Sequence, residues 1–153
     1  MSVRAIEHCI AIVICCAALS ACATQQIPPP PNTPSGRPEI TIPAERTNAA
    51  LAYILDVSMN RGYTIRRQTP TMIMLERPAN NMWASMLFGS QFNANPHLRV
   101  IWNMISTETT TRIIGDLSIV TNPGSGYEQP HPITHGAALQ QMQEILNTAA
   151  QRT

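Results

Sequence analysis

Along "TRIIGDLSIV" the apolar residues Ile113, Leu117 and Ile119 share one parity, and the polar Asp116 and Ser118 share the other. Strand side chains point to opposite faces in turn, so this spacing predicts a sheet with one buried and one wet face. "HLRVIWNMIS" precedes it, and the polar residues from Thr107 to Thr111 join the two runs as a hairpin. Tyr63 to Arg67 and Met72 to Arg77 read as two more strands around "QTPT", and "EITI" from Glu39 reads as a short one. The period changes in two places. Leu51, Ile54, Leu55 and Ser58 follow the i, i+3, i+4, i+7 spacing of a buried helical face, which predicts a helix over 43–61. Pro43 suits its first turn, Glu45 its positive end and Gly62 its stop. Leu139, Met142, Ile145, Leu146 and Ala149 form a second stripe, predicting a closing helix over 136–150 with Gln140, Gln141, Gln143 and Glu144 largely outward.

The order is β-α-β-β-β-β-α. Short turns make consecutive strands antiparallel, so the expected fold is an α+β domain: one antiparallel sheet of four to five strands with two helices on one face. A length of 153 residues with 44% hydrophobic and 12% charged residues fits one such domain. The net charge of +1 gives no basic surplus of the kind that displaces counterions from nucleic acid. All 10 basic residues are arginines.

The N-terminus has a different pattern. Arg4 is followed by an apolar run from Cys9 to Leu19, and then by the small residues Ser20 and Ala21 before Cys22. The run is too short for the ~20 residues of a membrane span and has the layout of a secretory signal. Leu19-Ser20-Ala21-Cys22 resembles the lipobox of bacterial lipoproteins, with Glu7 the one departure from a basic leader. The resemblance implies that 1–21 is a signal peptide cut before Cys22; the alternative is an ordinary signal peptide cut after Ala21 or Ala23 with an incidental Cys. The resemblance also implies a diacylglycerol on the Cys22 thiol and a fatty acyl group such as palmitate on the new amine. Two or three acyl chains at ~0.8 kcal/mol per buried methylene make a stable anchor. With Cys9, Cys15 and Cys16 discarded, no second thiol is left for a disulfide within the chain. Ala23, rather than Asp, follows the lipidated position, which by the enteric sorting rule implies the outer membrane.

Residues Ala23 to Pro38, "ATQQIPPPPNTPSGRP", are too rich in proline to build a core and favour polyproline II. With 22–38 as a spacer, the globular domain 39–153 could stand up to about 50 Å from the bilayer. A proline-rich ligand for a grooved partner is the alternative for this stretch. The order of elements from Glu39 to Ala150 resembles the helix-grip domains of some outer-membrane assembly lipoproteins of Gram-negative bacteria. That resemblance implies a binding or scaffold module and supplies no residue-level motif.

Between the strands ending near Pro78 and starting near Leu98, "NNMWASMLFGSQF" carries more large apolar side chains than a connection needs. Met82, Trp83, Met86 and Leu87 would line one side of a short helix over 80–88, with Gly89 ending it. One reading is a lid that closes the core. The other is a docking patch made of Met82, Trp83, Met86, Leu87, Phe88 and Phe92, a composition suited to partner binding.

Catalytic signatures are missing from the sequence: it has no phosphate-binding loop, no H-E-x-x-H and no G-x-S-x-G. "PGSG" from Pro123 could offer backbone N–H groups to an anion but reads first as a turn. His131 and His135 with His97 are the one metal-like grouping, and Pro132 argues against a shared helical face. The expectation is a non-catalytic, lipid-anchored envelope module without cofactor or metal, facing the periplasm and binding other envelope proteins. The alternative is a carrier of a small apolar ligand or lipid held between sheet and helices.

Overall fold

The computed structural model describes residues 27–79 and 96–152. The order is β1 (Glu39–Pro43), a 3-10 turn (Ala44–Arg46), α1 (Thr47–Asn60), β2 (Thr64–Thr69), β3 (Met72–Pro78), β4 (His97–Ser106), β5 (Thr110–Thr121), β6 (Gln129–Pro132) and α2 (Ala137–Arg152). The strands form one antiparallel sheet in the order β1-β5-β4-β3-β2, with β6 also on β5. This is the α+β class expected from the alternating and helical periods.

Two expected boundaries move. The first helix was expected from Pro43, but Pro43 still pairs with Thr110 in the sheet, and the α-helix starts at Thr47 after the 3-10 turn. Its C-terminal stop is as read: Gly62 has φ +82° and donates its N–H to the Met59 carbonyl at 2.9 Å. The sheet has six strands rather than four to five, because "QPHP" in the turn-rich connection pairs with β5. Prolines at 130 and 132 conceal it in the sequence. Ile133 donates its N–H to the Leu117 carbonyl, so the odd residues of this segment face β5. Pro130 and Pro132 therefore lack only N–H groups that would point outward, the one place a strand tolerates them.

β5 is the organising strand. One of its edges is covered by β4 along His97 to Ser106, and the other carries β6 and β1 end to end. β6 covers 118–121 and β1 covers 110–114. In the gap between them the Gly115 N–H donates to the Pro38 carbonyl at 2.7 Å.

The core lies between one face of the sheet and both helices. Ile42, Ile73, Leu75, Val100, Trp102, Met104, Ile113 and Leu117 meet Ala50 and Ile54 of α1 and the whole predicted stripe of α2. Each large side chain buried there contributes roughly 1.5–3 kcal/mol. Gly115 makes room for the Trp102 ring: a Cβ at that position would stand 2.5 Å from Trp102 Cζ3 and 2.8 Å from Met142 Cε.

The proline-rich stretch is laid on this body from Pro28 onward. The Pro28 carbonyl accepts from the Gly136 N–H at 3.0 Å, and the Pro29 carbonyl accepts from Gln140 Nε2 at 2.7 Å. Pro31 and Pro38 are buried. A turn closed by the Gly36 N–H on the Thr33 carbonyl directs the chain into β1. Among the described residues, no helix is long and apolar enough to cross a membrane.

Candidate functional site

The residues that the sequence singles out for lipidation and partner binding, Cys22 and Met82, Trp83, Met86, Leu87, Phe88 and Phe92, lie outside the described residues. What is described is the base from which the 80–95 segment leaves and returns. Pro78 pairs with His97, and the Ala79 N–H donates to the Pro96 carbonyl at 2.8 Å. Both ends of the segment are thus fixed at adjacent positions on the sheet.

That base is braced on the face opposite the helices. Glu76 and Arg99 are direct cross-strand partners, and the Arg99 guanidinium reaches Glu76 Oε1 at 2.5 Å. Arg66 Nε donates to Glu76 Oε2 at 2.9 Å, and His97 Nδ1 stands 3.4 Å from the same oxygen. Arg99 continues to Glu128 at 2.7 Å. The Glu76 side chain is only 4% exposed, so its charge is held by these partners rather than by water. Burial pushes its pKa up, but the Arg66 and Arg99 guanidiniums and His97 outweigh burial and hold the carboxyl below its ordinary value. Arg99 loses some basicity to burial, yet Glu128 and Glu76 raise its pKa overall.

The "PGSG" turn meets an anion from its own chain. The Gly124 N–H donates to Glu128 Oε2 at 2.9 Å. This bond, ahead of the opposing effect of burial, lowers the Glu128 pKa, and Arg99 adds to the lowering. Glu39 forms a separate pair with Arg112 at 2.7 Å. Its pKa is pushed up by burial and drawn down further by the Ser35 hydroxyl and Arg112.

The three histidines do not converge. His97 faces Glu76, His131 Nε2 lies 3.4 Å from Thr121 Oγ1, and His135 Nδ1 lies 3.2 Å from Thr134 Oγ1. No cluster of metal-ligating side chains forms among the described residues. Glu39, Glu76, Asp116 and Glu128 are thus held in salt bridges, which the sequence alone does not reveal because the Glu76–Arg99 pairing depends on strand register. The one available signal was that Glu76 shares a parity with Met72 and Met74, marking it as a resident of the outer face.

Two further features could receive a partner or ligand. The free edge β2 is solvent-exposed but carries Arg66, Arg67 and a bulge between Ile65 and Arg67, devices that discourage another strand from adding. At the gap in the other edge there is a cleft of about 500 Å³. Its walls include Pro38, Pro130, Pro132, Leu117, Ile133 and Leu139, and the Arg37–Asp116 pair at 2.9 Å also borders it. Comparison with protein families, with curated proteins and with solved structures finds no match to this chain.

Proposed function

We propose that this chain is a lipid-anchored, non-catalytic cell-envelope module that binds or scaffolds other envelope proteins. The signal-like leader and Leu19-Ser20-Ala21-Cys22 support the anchor on Cys22, diacylglycerol on its sulfur, a periplasm-facing body and an outer-membrane address. The observation that carries the binding role is the clamped base of the 80–95 segment. A rigid pair of strands, closed by Ala79 on Pro96 and braced by Glu76 with Arg99, holds both ends of a stretch containing Met82, Trp83, Met86, Leu87, Phe88 and Phe92. Holding both ends of such a stretch together removes part of the chain entropy that a partner would otherwise have to overcome. A pull-down from solubilised envelopes tests this role. Trp83→Ala with Phe92→Ala should remove a protein that co-purifies specifically with the native chain. An unchanged set of co-purifying proteins would contradict the assignment of this surface.

The edge cleft favours a second reading, a carrier of a small apolar ligand or lipid. Its volume is typical of ligand sites, which span ~300–1,000 Å³. It lies at the gap between β1 and β6 rather than between sheet and helices. Solvent extraction of the purified protein that recovers no co-purified apolar molecule would remove this reading.

A further inference from the structure

The docking of the proline-rich stretch brings the anchor end of the chain to one side of the body, at the start of α2. We propose that the strap 27–38 seats the protein against its bilayer, with the β6–α2 connection and the first turn of α2 toward the lipid headgroups and the β2 edge turned away. This rests on the reading of Cys22 as the acylated residue.

The argument starts from chain length. If residues 23–38 were a free spacer, the body could stand ~50 Å from the anchor. Pro28 and Pro29 are instead bonded to Gly136 and Gln140 at the start of α2. Only the steps from Cys22 to Pro28 then separate the acylated sulfur from the folded surface, and a polypeptide cannot exceed ~3.6 Å per residue, or roughly 22 Å here. The bilayer surface must therefore lie within that reach of Gly136. Ile27, where the described chain begins, is 67% exposed and so does not tuck back into the core.

Charge supports the same orientation. Bacterial envelope lipids include anionic headgroups, whose surface potential repels carboxylates. Residues 27–38 contain no Asp or Glu, and neither do residues 129–143, which form β6, the connection and the first turns of α2. Of the neighbouring carboxylates, Asp116 is paired with Arg37 and Glu128 with Arg99, and the exposed Glu144 follows further along α2. Ala137 and Ala138 offer small exposed side chains in the first turn of α2, so the helix can approach a surface closely. β2 lies four strand positions from β6 across the sheet, about 19 Å at ~4.8 Å per strand, and carries Arg66 and Arg67.

The test uses the lipidated full-length product, in which acylation of Cys22 leaves no free thiol. Ala138→Cys and Gln68→Cys, both at exposed positions, each add one site for a fluorophore. The labelled proteins are placed in phosphatidylethanolamine–phosphatidylglycerol vesicles that carry a headgroup spin-label quencher. Intact mass is read first on the same material. Acylated protein with quenching at position 138 at least about twofold stronger than at 68 is the expected result, given the ~19 Å offset. Acylated protein with equal quenching at both positions, with none at either, or with the stronger effect at 68, overturns the orientation and leaves the anchor intact. A mass without acyl groups overturns the anchor reading itself, and the orientation with it.

Discussion

The two faces of the sheet are held by different physics. The face under α1 and α2 is apolar throughout its centre, with Trp102, Ile73, Leu75 and Ile113 almost completely removed from water. The opposite face buries the apolar Ile114 and Val120 as well, but it also buries Glu76, whose burial is compensated by Arg66, Arg99 and His97, with Glu128 extending the set. Apolar burial responds weakly to pH, whereas paired carboxylates lose their attraction when protonated. The first face therefore sets how stable the body is. The second sets the conditions under which the base of the 80–95 segment stays fixed.

The largest effect is expected at Trp102. Truncation to Ala removes the largest fully buried side chain among the described residues and should cost about 3–5 kcal/mol, read as a lowered denaturant midpoint. Trp102→Phe should cost much less, because the indole Nε1 has no hydrogen-bond partner to lose among the described residues. Equal losses for the two variants would mean that the ring's volume is not what the core uses.

A smaller effect, about 1–3 kcal/mol at neutral pH, is expected for Glu76→Gln, which leaves Arg66 and Arg99 without their shared carboxylate. Its pH dependence sharpens the contrast. The folded-state pKa of Glu76 lies below the ordinary value of 4.5, so its stabilising contribution is complete above that value and is lost as pH falls through the lower folded one. Glu39 and Glu128 are shifted in the same direction and add to the acid sensitivity. The native chain should thus lose stability on acidification below 4.5, and Glu76→Gln should show a shallower loss. Parallel curves for the two proteins would show that Glu76 contributes nothing through its charge.

The parts of the fold that were legible in the sequence are those whose periodicity carries the information locally. The stripe from Leu139 to Ala149 is buried as read, and the alternation of Ile113, Asp116, Leu117 and Ser118 marks the two faces of β5. Ile119, however, is only half-buried, while Ile114 and Val120 are buried on the face read as wet. The parts that were not legible depend on partners distant in sequence. β6 is concealed because proline is excluded from strands except where its missing N–H points outward, and that direction is set by pairing with Leu117 and Ile119. The strap has the composition of a free polyproline spacer, and partners far along the chain, among them the N–H of Gly136, the amide of Gln140, the N–H of Gly115 and the carboxylate of Asp116, draw it onto the body. The salt bridges of Glu76 required a register that no single strand specifies. The residues read as the lipidation and docking sites lie outside the described residues, so the assignment at Cys22 rests on the motif and that at 82–92 on composition above a fixed base.

The anchor is the claim on which the location, the orientation and the envelope role depend, and intact mass spectrometry of the chain purified from native membranes tests it most directly. The account predicts a polypeptide that begins at Cys22 and carries the added mass of a diacylglycerol and a further acyl chain. A chain that retains Met1, or one whose Cys22 sulfur is unmodified, would contradict it.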